Sequence, residues 1–198
     1  MRDAVIGRVL VASLHQGISD ILPTRLGFYE SWLDAEGLRE GTIGLAPLYA
    51  VLSFLRQEGD EAYDKITTCA GEYAAEWTVQ SMAPFERTLT RKAPAWLRSR
   101  LLLRLLGRLV RASYTGSRTV SRLRRGQASV EIRGSVFCTV REPLTRPLCG
   151  FYVAAFTRLH ALFDLSAHVD ISSCRGMGQP ACAMTFAPAD SRTPGGGT

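Results

Sequence analysis

Three of the five cysteines fall between Cys149 and Phe186, and their placement constrains the fold more than any other feature. His168 to Ser173 alternates apolar and polar residues, Gly176, Gly178 and Pro180 supply turn chemistry, and Ala181 to Phe186 reads as a return strand. This predicts a β-hairpin with Cys174 and Cys182 at the two shoulders of its loop. Both thiols can face one point, and Cys149, opening the apolar helix before the hairpin, can reach that point from the side. Three converging thiolates suit a soft ion such as zinc. The competing reading is three small core fillers, a common use of free cysteine. Cys69 and Cys138 have no partner at ligand spacing and read as core.

The order of parts is a cysteine followed by Gly150 and Phe151, a helix, a strand ending in Cys174, a glycine-containing loop, and Cys182 shortly before Phe186. This order resembles the C-terminal half of the 4-vinyl reductase domain, specifically from Cys149 to Phe186 and in outline back to about Val130. The family includes zinc-bearing sensor domains of phenol-responsive transcription activators, a bacteriochlorophyll-pathway protein, and distant relatives among vesicle-tethering subunits. The resemblance implies a zinc held by Cys149, Cys174 and Cys182, and a cavity in the helical part for a small hydrophobic ligand. The sensors place a glutamate three residues before the first hairpin cysteine, where this chain has Ile171. Asp170 is the nearest carboxylate, although alternation points it away, and His168 shares the strand parity of Cys174. The fourth ligand is therefore Asp170, His168 or none.

At 198 residues the chain fits one domain with a sizeable core. No apolar run approaches a membrane span, and Met1 to Ile6 lacks the features of a signal peptide, so a cytoplasmic home is expected. An odd cysteine count argues against a disulfide framework. Nothing of the form G-x-G-x-x-G follows a strand, and neither a P-loop nor His-Glu-x-x-His is present. A self-contained reductase needs a hydride donor, and no nucleotide site for one is recognisable, which favours a carrier or accessory role over catalysis.

Periodicity predicts helices over residues 3 to 18, around Phe28 to Trp32, over 45 to 56 and over 61 to 81, where Pro84 closes the last. A fifth, started by Pro94, carries Leu97 to Leu109 on one face and Arg100, Arg104, Arg108 and Arg111 along an edge. From Ala128 to Val140 the period becomes two, predicting a strand turned or kinked at Gly134; Cys149 to Phe163 is the last helix. The expected fold is α+β: about six helices on a small, mainly antiparallel sheet. Residues 1–187 form one domain, with a helical part (1–126) and a strand-helix-hairpin part (127–187), followed by a disordered tail over 188–198.

From Arg87 to Val130 lie twelve of the 24 basic residues and none of the 18 acidic ones, so the remaining chain carries a formal −6. A solvated helix edge is the simplest reading of the Arg87–Arg125 block. An acidic partner is the alternative: an anionic membrane surface, a pathway enzyme, or porphyrin propionates. Nucleic acid is disfavoured, because Trp96 and Tyr114 are the block's only aromatics and no groove-reading motif accompanies them. Aromatic residues through the helical part, Trp77 and Trp96 among them, can line a cavity as well as fill a core, and His160 could ligate the central metal of a tetrapyrrole. With the resemblance, two functions compete: a protein binding a vinyl porphyrin or chlorophyllide and assisting its reduction or delivery, and a zinc-containing sensor of small aromatic compounds acting with a separate output protein. A homodimer fits either.

Overall fold

The structure, a computed structural model, describes residues 5–33, 44–124 and 127–188. Among these are seven α-helices: α1 (Arg8–Ile21), α2 (Leu26–Glu30), α3 (Leu45–Gln57), α4 (Asp60–Gln80), α5 (Pro84–Lys92), α6 (Ala95–Ser113) and α7 (Gly150–Leu162). Four strands, β1 (Arg118–Arg124), β2 (Gln127–Arg133), β3 (Ala167–Ser173) and β4 (Cys182–Pro188), form one antiparallel sheet in the order β1-β2-β4-β3. The fold is α+β, as the change of hydrophobic period from 3.6 to 2 predicts.

Helix α4 is the axis of the helical layer. Tyr63, Ile66, Thr67, Ala70, Gly71, Ala74 and Ala75 recur at helical spacing and are buried, and the small residues among them let α1 and α7 approach closely. Gly71 is decisive: a Cβ there would lie 2.3 Å from the carbonyl oxygen of Phe151 on α7. Arg158 of α7 ties the same interface, with its guanidinium Nε and Nη2 at 2.9 and 2.5 Å from Glu76 Oε1. The start of the chain is stitched to the end of α6, where Gly7 N donates to Ser113 O (2.9 Å) and Thr115 N to Val5 O (3.0 Å).

The inner face of the sheet, with Ala128, Val130, Ile132, Cys182, Met184 and Phe186, is buried; Phe186 meets Phe156 of α7 at 3.7 Å between ring centroids. Registers such as Ile132↔Cys182 and Val130↔Met184 align these apolar residues across β2 and β4.

Four expectations change. Pro84 does more than end α4: it occupies the first turn of α5, where its missing N–H costs nothing. The expected strand over 128–140 stops at Arg133, since Gly134 takes a positive φ of 70° and turns the chain into irregular backbone. Arg118–Arg124, within the basic block, is the edge strand β1, with residues 118, 120, 122 and 124 exposed. Pro188 ends β4, and the rest of the expected tail, 189–198, lies outside the described residues. No helix among the described residues is long and apolar enough to cross a membrane.

Candidate metal centre and adjoining cavity

Cys174 follows β3, Cys182 begins β4, and Cys149 is the N-cap of α7. The hairpin and the helix bring these three thiols together, and Cys138, from the irregular segment after β2, completes a group of four. All four are at most 2% exposed, and their sulfurs lie within 4.8 Å of one another. Cys138 Sγ is 3.5 Å from Cys149 Sγ, 3.5 Å from Cys174 Sγ and 3.4 Å from Cys182 Sγ, and Cys149 Sγ is 3.2 Å from Cys174 Sγ. With a Zn–S bond of about 2.3 Å, a tetrahedral site has S–S edges of about 3.8 Å. Four of the separations fall a few tenths of an ångström short of that edge and all lie within 4.8 Å, so the four cysteines are close enough to bind a metal.

Supporting donors are in place. Leu148 N donates to Cys174 Sγ (3.4 Å) and Arg175 N to Cys182 Sγ (3.5 Å), bonds that favour thiolates, and Cys149 sits at the positive end of the α7 dipole. Hydrogen bonds from Cys138, Cys149 and Cys182 pull the Cys174 thiol far below the ordinary thiol range, and the bonds Cys149 makes to Cys138 and Cys174 push its own thiol up. Opposed shifts are what hydrogen-bonded thiols produce when one ionises and its neighbours keep their protons; ionising all four together would require a cation to balance their charge.

Two readings of the sequence are corrected here. Cys138, taken as core, belongs to the centre. Asp170 and His168, the alternatives for a fourth ligand, stand on the exposed face of β3, paired with each other at 3.1 Å and 67% and 78% exposed. The parity linking His168 to Cys174 fails because the β3–β4 register shifts between Ile171 and Ser173; this bulge turns Cys174 inward. Ile171 is half-buried against the core. Cys69 remains apart on α4, with a weak contact of 3.6 Å to Asp20.

Cys138 and Cys149 frame a segment with a second role. Its residues Thr139 to Leu144 face α3 across a cavity of about 830 Å³, lined from α3 by Tyr49, Phe54 and Arg56 and from the segment by Val140, Arg141 and Leu144. Leu144 N donates to Gly176 O of the cysteine hairpin (2.7 Å). Arg146 reaches Asp60 at 2.8 Å and Asp64 at 2.7 Å on α4, and its guanidinium carbon lies 5.4 Å from the centre of the Tyr63 ring. One wall of the cavity is thus hung between two cysteines of the centre and pinned in the middle to the hairpin.

His160, Trp77 and Trp96 do not converge on a described cavity. His160, 7% exposed on α7, has Nδ1 3.0 Å from Phe156 O and its ring 4.1 Å from that of Phe156. Burial lowers its pKa. Trp77 packs on Tyr73 within α4, and Trp96 opens α6 at 61% exposure, with the Arg100 guanidinium 5.5 Å from its ring centre. The basic block is also not one solvated edge. Arg91 and Arg98 donate to the carbonyls of Leu162 and Phe163 at the end of α7, and Arg87 donates to those of Gln80 and Met82 at the end of α4 and just beyond. Arg104 and Arg108 border a small groove between α5 and α6 with Phe85 and Leu89.

No family model matches the chain, and no curated protein matches it in sequence. Solved structures are similar in fold. A mutant H-NOX protein from K. algicida, in its Fe(II) unliganded state, is 10% identical over 94% of this chain and 98% of its own, with a TM-score of 0.60. An H-NOX protein from S. oneidensis in the Fe(II)NO ligation state is 9% identical over 92% and 99%, with a TM-score of 0.52. The phenol-responsive sensory domain of the transcription activator PoxR, with phenol, is 16% identical over 73% and 74%, with a TM-score of 0.48. At these identities the H-NOX likeness establishes the fold.

Proposed function

We propose that the chain is a small-molecule sensor domain in which a zinc ion held by Cys138, Cys149, Cys174 and Cys182 orders one wall of the ligand cavity. The observation that carries this reading is the placement of Cys138 and Cys149 at the two ends of the wall segment. Soft thiolates select zinc over hard cations, and four of them leave no open position for catalysis, so the metal's role is structural. Removing it frees both ends of the segment and its tie to the hairpin, so ligand affinity and metal content rise and fall together. The reading agrees with the resemblance to the 4-vinyl reductase domain, and a fold like that of the two H-NOX proteins, whose structures are in Fe(II) states, is compatible with a ligand-binding role. The tetrapyrrole carrier is the weaker reading, because His160, Trp77 and Trp96 share no described cavity. Output through a separate partner chain or a second copy belongs to the same proposal.

The test is metal analysis of protein purified under reducing, chelator-free conditions, followed by thermal shift with small aromatic compounds before and after chelation. About one zinc per chain, and ligand shifts that vanish when it is stripped, are expected. Metal-free protein that binds ligands as well as the loaded form overturns the reading.

A further inference from the structure

Resting on the reading of the α3 cavity as the ligand site, we propose that its occupant is an organic monoanion, an apolar or aromatic body bearing one carboxylate, gripped by Arg56. Arg56 Nη1 is shut off from solvent and has no hydrogen-bond partner. A guanidinium nitrogen left in that state is unfavourable, because its N–H groups lose water and gain no partner in return. Other atoms of Arg56 line the cavity, so a turn of the side chain would carry this nitrogen to a counter-charge bound there. Tyr63, near enough for the Arg56 charge to be felt at its hydroxyl, is likewise buried with that hydroxyl unpartnered.

The rest of the lining defines the class. Tyr49, Phe54, Val140 and Leu144 offer apolar surface for the body of the ligand. Arg141 adds a second guanidinium on the opposite wall and Glu142 one carboxylate, so the lining carries one net positive charge. That balance suits a single negative charge, disfavours cations, and repels part of a dianion. A guanidinium fork matches a carboxylate bidentately, whereas a neutral phenol supplies one hydroxyl and no counter-charge. A volume of about 830 Å³ exceeds a single ring and falls in the range of ordinary small-molecule pockets.

The experiment compares 2-naphthoate with its neutral analogue 2-naphthol, titrated into the metal-loaded full chain, with inorganic phosphate as a control for simple anion binding. We expect 2-naphthoate to bind at one site and more tightly than 2-naphthol. R56Q should weaken the naphthoate by about 10- to 100-fold, the usual span for a charge-assisted hydrogen bond, and leave 2-naphthol unchanged. V140W, which fills the cavity, should reduce both. Because Nη1 of Arg56 has no partner without ligand, R56Q should melt no lower than the unliganded wild type; a residue with a purely structural role would melt lower. If 2-naphthol binds as tightly as 2-naphthoate, or if R56Q leaves the naphthoate affinity intact, the anion inference falls while the ligand cavity stands. Phosphate competing equally with naphthoate reduces Arg56 to a nonspecific anion contact and also overturns it. Failure of both naphthalene probes to bind removes the cavity reading together with the inference.

Discussion

Replacing Cys138 with serine is the sharpest perturbation of the metal centre, because spacing alone gives this residue no ligand role. Its sulfur lies 3.4–3.5 Å from each of the other three, and it is 2% exposed. Serine nearly preserves volume, so packing changes little, but its hydroxyl is a poor zinc ligand. A metal present at 100 to 1,000 times its dissociation constant contributes about 3–4 kcal/mol to folding, and that contribution should be lost. For a domain of this size each kcal/mol shifts Tm by about 2–4 °C, so a fall of roughly 6–16 °C is expected. The assay is calorimetric or fluorescence melting with metal analysis of the same sample, with C69S as control. Cys69 lies outside the group and makes only a weak contact with Asp20, so C69S should keep both metal and Tm. If C138S retains one zinc per chain and melts with the wild type, the four-thiolate reasoning is wrong.

Three further outcomes are expected. G71A places a methyl 2.3 Å from the Phe151 carbonyl, so α4 and α7 must separate; a loss of about 1–3 kcal/mol should appear in urea melts, and a neutral result would contradict the close crossing. R158A removes an ion pair that is 42% and 29% exposed on its two sides, so water screens it and the cost should stay at or below about 1 kcal/mol; a collapse of the fold would refute that estimate. His160 has a lowered folded pKa through burial, so between that value and about 6.5 the unfolded chain binds the proton that the folded chain refuses. Stability from this residue is present above pH 6.5 and lost as pH falls through the folded pKa; H160Q should flatten that limb of a stability-versus-pH curve, and an identical acid limb would refute the assignment.

The helical part was legible where burial follows a 3.6-residue period. Leu48, Val51, Leu52 and Leu55 on α3, and Tyr63, Ile66, Ala70 and Ala74 on α4, are buried as that period requires. Helix α5 was missed because a proline that cannot continue one helix is equally suited to start the next. Strand β1 was missed because its outward residues include Arg118, Arg122 and Arg124; an edge strand with one wet face carries too few apolar residues to stand out from a charged loop. The α7 carbonyls that consume Arg91 and Arg98 are more than sixty residues away in sequence, so the basic block gave no sign of how its charges are used.

By itself the sequence determined the α+β class, the cysteine hairpin, and the convergence of Cys149, Cys174 and Cys182. A hairpin is local: its turn residues and alternation set the register, and the helix just before it can fold back only a short way. The fourth thiol was decided by tertiary structure. Cys138 reaches the other sulfurs because β2 pairs with β4 rather than with β3, Gly134 turns the chain out of the sheet, and the β3–β4 bulge rotates Cys174 inward. Each of these is a relation between segments distant along the chain, where spacing carries no information. The cavity has the same origin, since α3 and the segment after Cys138 are about eighty residues apart and meet only when the layers pack. Local patterning determines which elements exist; only their packing determines which side chains share a site.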